Sequence, residues 1–265
     1  MKKYTIYDIE TGPQAAAAEE LVQAIPNFDP STVKMGNLKD EAKREAKLEQ
    51  AALDYDIKRV EMERKAYKDC CLDGSLGHVV AIGIQTIGGD PYILDGLELG
   101  EAGLLEKFWG LAEQHTMNYG HMYGWNTEAF DLPFLLQRSW CLGVPVPHGT
   151  IERYRFYSPV YVDLMKVYTC GTYGKFCKLS KAAKAMGVQV DRSAAGEVDG
   201  ASFWRAWQSK DPEQMAQARA YLLGDIQETA AVACKLMDLE TLAALEKERH
   251  AGSTSFGEDA EDDAL

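Results

Sequence analysis

KYTIYDIETG, residues 3–12, opens the chain with an apolar run that ends in two acidic side chains. Its mixture of aromatic and β-branched residues predicts a strand over residues 3–8. Asp8 and Glu10 are two positions apart, so on a strand both carboxylates project from the same face of the sheet. In a chain with 41 acidic residues such a pair is also an ordinary surface feature. Its meaning therefore depends on the rest of the sequence.

Strand and helix patterns alternate along most of the chain. The nearly continuous apolar run HVVAIGIQTI, residues 78–87, predicts a strand buried on both faces, and the Gly-Gly-Asp-Pro turn after it predicts a hairpin with PYILD. This order predicts one α/β domain over residues 1–246. The remaining predicted elements are a helix at 103–115, a strand at 119–124, a helix from 132, a strand at 160–165, and helices at 179–186 and from 212 onward.

Two segments depart from this alternation. Residues 14–75 form an insertion in which 38–69 carry nine basic and nine acidic side chains along a broken apolar stripe, which predicts a long helix. This helix is interpreted either as an arm packed on the domain or as a lid or partner-docking arm. Residues 247–265 are acidic and poor in apolar residues, which predicts a disordered tail.

The composition narrows the class of protein. The 265 residues are 46% hydrophobic, and none of the apolar runs approaches the roughly 20 residues of a membrane span. The apolar stretch at the N-terminus is too short for a signal peptide, and the six cysteines lack zinc-type doublets. These features predict a cytoplasmic protein with reduced thiols and without a membrane partner.

The net charge of −13 is unevenly distributed. Residues 132–190 carry eight basic side chains against two acidic ones, and tyrosines and phenylalanines lie among them. Cations that contact phosphates beside aromatic rings that stack on bases are typical of a groove for single-stranded nucleic acid. The segment therefore predicts nucleic-acid contacts that include Lys175 and Lys178. The alternative is a solvated lysine stripe on the helix near residue 180.

Two more motifs place acidic groups far along the chain. GWNTEAFD, residues 124–131, ends in Asp131, and YLLGD, residues 221–225, places Tyr221 and Asp225 one helical turn apart on one face. Singly, these are an ordinary helix cap and an ordinary helix-surface pair. Together with Asp8 and Glu10 they predict a site for two divalent cations, Mg²⁺ or Mn²⁺, because both prefer carboxylate oxygens. Such sites cut phosphodiester bonds.

The phrases DIETG, Asn-x-x-x-Phe-Asp and Tyr-x-x-x-Asp resemble the DnaQ-like (DEDD) 3′–5′ exonuclease superfamily, in its tyrosine-containing branch. They are most similar to the stand-alone PolB-like exonucleases of bacteria and phages and to the exonuclease domain of family-B DNA polymerases. GHVVAIGI, VDGASFW and DIQET agree with this group, and the resemblance covers most of residues 1–240. It implies a ribonuclease H-like fold, a mixed five-stranded sheet flanked by helices.

The resemblance also implies a role for each motif residue. Asp8, Glu10 and Asp225 would bind the catalytic metal, with Asp8 bridging to the second ion. Asp131 would help to hold that second ion, and Tyr221 would position the attacking water. The residues expected near the 3′ end of the bound strand are Thr11, Gly12, Asn126 and Phe130.

The implied activity is 3′–5′ removal of nucleoside 5′-monophosphates from single-stranded DNA. A histidine-type member would carry its base at position 220, which here is alanine. One alternative is an exoribonuclease of the same fold, and another is a non-catalytic nucleic-acid-binding or polymerase-docking subunit. The expected partners are single-stranded 3′ ends and a DNA polymerase or another replication or repair protein, in a bacterial or phage-infected cytoplasm.

Overall fold

The computed structural model describes residues 3–152 and 157–254. The chain divides into two compact units, one of Met1–Thr11 with Val79–Leu265 and one of Gly12–His78. The strands are β1 (Tyr4–Pro13), β2 (Gly77–Thr86), β3 (Tyr92–Asp95), β4 (His121–Gly124) and β5 (Tyr161–Asp163). The helices are α1 (Ala15–Gln23), α2 (Glu41–Cys71), α3 (Gly96–Met117), α4 (Asp131–Leu142), α5 (Leu164–Tyr168), α6 (Leu179–Ala185), α7 (Phe203–Gln208), α8 (Pro212–Met237) and α9 (Leu239–Thr254).

Within the described residues the strands form a five-stranded sheet in the order β3-β2-β1-β4-β5. The pairs β1–β4 and β4–β5 are parallel, and β2–β3 is antiparallel. The predicted mixed five-stranded sheet with flanking helices is therefore confirmed. Because β1 is the central strand, its residues lie between helices on both faces.

Side chains of β1 alternate between two hydrophobic cores. Tyr7 and Ile9 belong to the core that includes α3 and α4, whereas Tyr4 and Ile6 belong to the core that includes α7 and α8. Continuing this alternation places the next even-numbered residues, Asp8 and Glu10, on the face covered by α8. The strand pattern thus directs the acidic pair toward the helix that carries Asp225.

A glycine in β2 sets the distance between the sheet and α8. Gly83 has no side chain, and a Cβ atom built at this position would lie 2.5 Å from Cγ1 of Ile226 on α8. Ile226 is fully buried, so it has no open space into which it could move. Helix α8 therefore packs directly on the backbone of the strand at this point.

The second unit contains α1 and α2. Helices α1 and α2 contact each other. The ring of Phe28, in the segment between them, lies 5.6 Å from that of Tyr55 on α2, and Arg59 forms an ion pair at 3.0 Å with Glu63 one turn further along α2. The opposite face of α2 exposes Leu53 and Ile57. The predicted long helix at 38–69 is thus present as α2, and its function stays a prediction.

Two predicted boundaries were wrong. The first strand continues to Pro13 rather than ending at residue 8, because strand ends depend on burial and pairing as well as on residue type. The strand predicted at 160–165 stops at Asp163, whose carboxylate accepts hydrogen bonds from the N–H groups of Met165 and Lys166 and so caps α5. The helix predicted from residue 212 onward is present as α8. It ends at Met237, where Asp238 adopts a left-handed conformation, and α9 follows.

The acidic tail predicted at 247–265 begins as the last part of α9, which runs to Thr254. Residues 255–265 and 153–156, which include two aromatic residues of the predicted groove, lie outside the described residues. Among the helices that the structure describes, none is long and apolar enough to cross a membrane.

Candidate active site

Three of the four predicted carboxylates meet at one point. Asp8 and Glu10 on β1 and Asp225 on α8 each offer a carboxylate oxygen, and these oxygens lie within 4.8 Å of one another. The central position of β1 and the direct packing of α8 on the sheet bring them together. Three carboxylates at this separation form a donor set of the kind that hard divalent cations prefer.

The electrostatics of the group favour a cation. Burial, followed by the charges of Asp131 and Asp225, raises the pKa of Asp8 well above its usual range. Burial and then the charge of Asp8 raise the pKa of Glu10 in the same direction. Ionised carboxylates in such a site repel one another, and a bound cation would offset that repulsion. The residues therefore fit a divalent metal ion.

Asp131 is the first residue of α4 and lies beside the group of three. It is buried, and its Oδ1 accepts a hydrogen bond from the N–H of Ile9 at 3.2 Å. Burial raises its pKa to about 7. Asp131 is not one of the three carboxylates within 4.8 Å of one another, although its charge raises the pKa values of Asp8 and Glu10. Its predicted role at a second ion stays a prediction.

Tyr221 lies on α8 one turn before Asp225. Burial raises the pKa of its phenol well above the usual range, and the charges of Glu10 and Asp225 add to this effect. A hydrogen bond with the Asp225 side chain acts in the same direction. A Cβ atom built at Gly200 would lie 3.5 Å from the phenol oxygen, which places the segment before α7 beside the hydroxyl. The Tyr221 hydroxyl is therefore neutral at physiological pH and lies next to the carboxylates.

The metal-free protein is expected to lose the stabilising contribution of Asp131 as the pH rises from about 4 to about 7. An unfolded aspartate releases its proton near pH ~3.9, whereas the folded protein retains it up to about pH 7. Between these values the folded state binds more protons, so its stability falls with increasing pH. Asp131→Asn keeps an oxygen acceptor for Ile9 and should lessen this fall. The unfolding midpoints of both proteins in EDTA at pH 5 and pH 7.5 measure this fall in stability. An equal fall in the wild type and in Asp131→Asn would contradict the prediction.

Sequence reasoning missed two residues of this region. Nη2 of Arg192 donates to Oδ1 of Asp225 at 2.6 Å and also to Oε2 of Glu228. Glu228 follows Asp225 by three positions on α8, and the helical spacing alone could have marked it as a neighbour. Nothing in the local sequence indicates that Arg192 reaches them, because the contact depends on how the loop after α6 folds back onto α8.

The VDGASFW phrase also contributes to the site. The charge of Asp199 adds to the elevated pKa of Glu10, and Gly200 lies against the Tyr221 hydroxyl. Asp199 itself is held by Ser202, whose N–H and hydroxyl both donate to Oδ1 at 2.9 Å and 2.7 Å. The sequence singled out this phrase only through resemblance, and the structure gives it a location.

The structure shows the contacts and burial of the four residues predicted near the 3′ end of the bound strand. Asn126 has a left-handed backbone with φ 61°, and its N–H donates to Oδ1 of Asp163 at 3.1 Å. Phe130 is half-buried, and its ring lies 5.8 Å from that of Phe134. Thr11 is buried in β1, and Gly12 begins the second unit. Contact of these four residues with nucleic acid stays a prediction.

The basic segment retains an exposed cationic surface. Lys175 and Lys178 are exposed, as are Lys181 and Lys184, and nearby Tyr173 and Phe176 present their rings to solvent. Two other cations of the predicted segment are paired within the protein. Arg138 is buried against Glu101, and Lys166 binds Glu128 at 2.6 Å. Among the described residues of this segment, the exposed cations and rings are therefore centred on residues 173–184.

Comparisons with known proteins agree with this fold. A model of the RNase H superfamily matches residues 71–237. Among solved structures, the chain is similar to the family B DNA polymerase from the hyperthermophilic archaeon Pyrobaculum calidifontis, with a TM-score of 0.53 and 19% sequence identity. The match covers 89% of this chain but only 25% of the polymerase chain, and at this identity the likeness concerns the fold alone. The search of curated proteins found no significant match.

Proposed function

Since the chain belongs to the RNase H superfamily, we propose that it is a metal-dependent 3′–5′ exonuclease acting on single-stranded DNA. Membership of this superfamily supports a nuclease-type, hydrolytic activity. The 3′–5′ direction, the DNA substrate, the release of nucleoside 5′-monophosphates and the use of two Mg²⁺ or Mn²⁺ ions are parts of the proposal. A DNA polymerase or another replication or repair protein as partner is proposed on the same basis.

The observation that carries the proposal is the group of three carboxylates next to a tyrosine. The oxygens of Asp8, Glu10 and Asp225 lie within 4.8 Å of one another, and Tyr221 is one helical turn from Asp225. Buried carboxylates with elevated pKa values are unfavourable without a cation, which makes a purely structural role for the group costly. Bound divalent cations supply charge stabilisation for the attacking and leaving oxygens of a phosphodiester.

The protein's own groups would orient the reactants. Tyr221 stays protonated because burial and the neighbouring carboxylates raise its pKa, so its hydroxyl acts by hydrogen bonding rather than as a base. In this role it fixes the direction from which a water molecule approaches the phosphorus. Asp131, with a pKa raised to about 7, would change its protonation state near neutral pH until a cation binds beside it.

The substrate would reach these groups along the exposed surface formed by residues 173–184. The lysines supply sequence-independent attraction to phosphates, and Tyr173 and Phe176 offer rings for base stacking. An unstacked single strand exposes its phosphates and the faces of its bases at once, whereas a duplex keeps its bases paired and stacked. This arrangement supports single strands as the preferred substrate.

Reversing the charge of the lysine surface is expected to weaken binding of single-stranded DNA and to flatten its dependence on salt. Each phosphate that the protein no longer neutralises should reduce the slope of log K against log [salt] by about 0.7. The variant carries Lys→Glu at 175, 178, 181 and 184, and fluorescence anisotropy in EDTA measures binding without cleavage. Lys107→Glu, an exposed change on α3, serves as the control. An unchanged salt slope would place the groove elsewhere.

Digestion of oligonucleotides labelled at the 5′ or 3′ end tests the proposed function. Single-stranded, duplex and mismatched DNA and matched RNA are incubated with Mg²⁺, Mn²⁺ or EDTA, and the products are resolved by length and by terminal phosphate. We expect stepwise shortening from the 3′ end, nucleoside 5′-monophosphates and no products in EDTA. Faster digestion of RNA would favour an exoribonuclease, and absence of products with both metals would favour a binding subunit.

A further inference from the structure

The guanidinium of Arg192 connects Asp225 of the proposed metal site to Glu228, a buried carboxylate outside the group of three. Arg192 precedes the short 3₁₀ turn Ser193–Ala195, and its Nη2 donates to Oδ1 of Asp225 and to Oε2 of Glu228. We propose that Arg192 is a positioning residue that fixes the Asp225 carboxylate for the cation, and that Glu228 holds Arg192 in place. This inference rests on the proposed function.

Glu228 has the properties of an anchor. It is buried with only 8% of its surface exposed, and it lies on the same face of α8 as Asp225. A buried glutamate is costly unless a cation pairs with it, and two carboxylates this close on one helix repel each other. One guanidinium nitrogen that contacts both carboxylates relieves both costs. The three groups therefore form one connected unit rather than a surface ion pair.

The path of the Arg192 side chain is also defined by the helix. A Cβ atom at Gly224 would lie 3.5 Å from Cγ of Arg192, so the aliphatic part of the arginine runs over the α8 backbone at the glycine. The guanidinium then reaches the carboxylate of the next residue. Contacts along the stem and at the head restrict the rotamers of Arg192, which makes it suitable for holding another side chain.

Arg192 exerts two opposing effects on a cation at the site. Its positive charge repels the cation, whereas its hydrogen bond restrains the orientation of Asp225. Because an ionised carboxylate has about four acceptor sites on its two oxygens, the hydrogen bond from Arg192 to Oδ1 leaves Asp225 able to bind a metal ion as well. Outer hydrogen bonds of this kind typically change metal affinity or activity by about 10–100-fold when removed. We infer that orientation outweighs repulsion, which gives the test an unambiguous sign.

Mn²⁺ binding measured by electron paramagnetic resonance, without nucleic acid, tests this inference. Arg192→Met should weaken Mn²⁺ binding by about tenfold or more, although it removes a repelling charge. Arg192→Lys should recover part of the loss, since an ammonium still donates to a carboxylate. Arg205→Met, which removes an exposed arginine that lies over Trp204, is the matched control and should bind Mn²⁺ like the wild type.

A double-mutant cycle tests the role of Glu228. Glu228→Gln should weaken Mn²⁺ binding in the wild-type background and have no further effect in Arg192→Met, because its influence passes through Arg192. Equal effects in both backgrounds would refute the anchoring role. Tighter Mn²⁺ binding by Arg192→Met would overturn the proposal and make Arg192 a competing cation. Circular dichroism identifies a variant that fails to fold, in which case Arg192→Lys and Glu228→Gln decide the result.

Cleavage distinguishes this inference from the proposed function. In Arg192→Met the kcat for single-stranded DNA at saturating Mn²⁺ should fall by about 10–100-fold, while the affinity for DNA in EDTA stays that of the wild type. Active wild type with an unaffected Arg192→Met refutes the positioning role alone. Wild-type protein that binds Mn²⁺ but cleaves nothing refutes the exonuclease alone. Wild-type protein that binds no Mn²⁺ refutes both.

Discussion

Asp8→Asn and Asp225→Asn are each expected to abolish measurable cleavage while leaving the protein folded. Each removes one of three carboxylates whose oxygens lie within 4.8 Å of one another, so the remaining pair carries too little negative charge to hold and orient divalent cations. Asparagine has nearly the same shape as aspartate, and packing around the site is preserved. Asp8→Ala and Asp225→Ala should give the same result.

The substitution Asp8→Asn also makes a prediction about stability. Burial raises the pKa of Asp8, which means that the ionised side chain destabilises the metal-free fold at neutral pH. The unfolding midpoint of Asp8→Asn in EDTA at pH 7.5 should therefore equal or exceed that of the wild type. Nucleotide release and thermal unfolding are measured on the same preparation, with Asp90→Asn in the exposed hairpin turn as the control. A variant that unfolds, or one that cleaves at the wild-type rate, would contradict the assignment.

Tyr221→Phe is expected to slow cleavage by about 100-fold while Mn²⁺ binding stays unchanged. The substitution removes only the hydroxyl, and a positioned group that assists proton transfer or orients the nucleophile typically contributes about 10²–10⁴-fold. The ring of Tyr221 lies 6.2 Å from that of Phe203, and phenylalanine preserves this packing. The loss should therefore appear in kcat rather than in the affinity for DNA.

Single-turnover rates with excess enzyme measure this effect independently of product release. Tyr92→Phe, on the edge strand β3, removes a hydroxyl at a half-exposed position and serves as the control. The pH profile gives a second measurement: because the pKa of Tyr221 lies above its usual range, the wild type should show no ionisation of this phenol between pH 6 and pH 9. Wild-type rates in Tyr221→Phe would show that the residue only packs against its neighbours.

Much of the fold follows from local patterns. The continuous apolar run of β2, the glycine-containing turn before β3 and the proline at the start of α8 each indicate one structure for physical reasons that act within a few residues. Element ends were less predictable because they depend on distant partners. The end of β5, for example, is set by a carboxylate that also accepts hydrogen bonds from the N–H groups of Asn126 and Glu128, more than thirty residues away.

The residues of the candidate site also differ in how far the local sequence predicts them. Period-two and helical spacing place Asp8 with Glu10, and Tyr221 with Asp225, each on one face, and the combination of the motifs made the four residues recognisable. Arg192 carries no such spacing, since its contacts cross from a loop to a helix over more than thirty residues of sequence. For Asp131, the position at the start of α4 was predicted from the local sequence. Its hydrogen bond with the Ile9 backbone was not, because that contact forms only when α4 packs against the sheet.

Gly83 lies outside the candidate site, but it influences how closely the elements that carry the site approach each other. A Cβ atom at position 83 would lie 2.5 Å from Cγ1 of Ile226, so the sheet that carries Asp8 and the helix that carries Asp225 are in direct contact at this point. Any larger residue would act as a wedge and widen the gap in which the ions must fit. Glycine at this position in the middle of β2 thus sets the spacing between two layers rather than supplying flexibility.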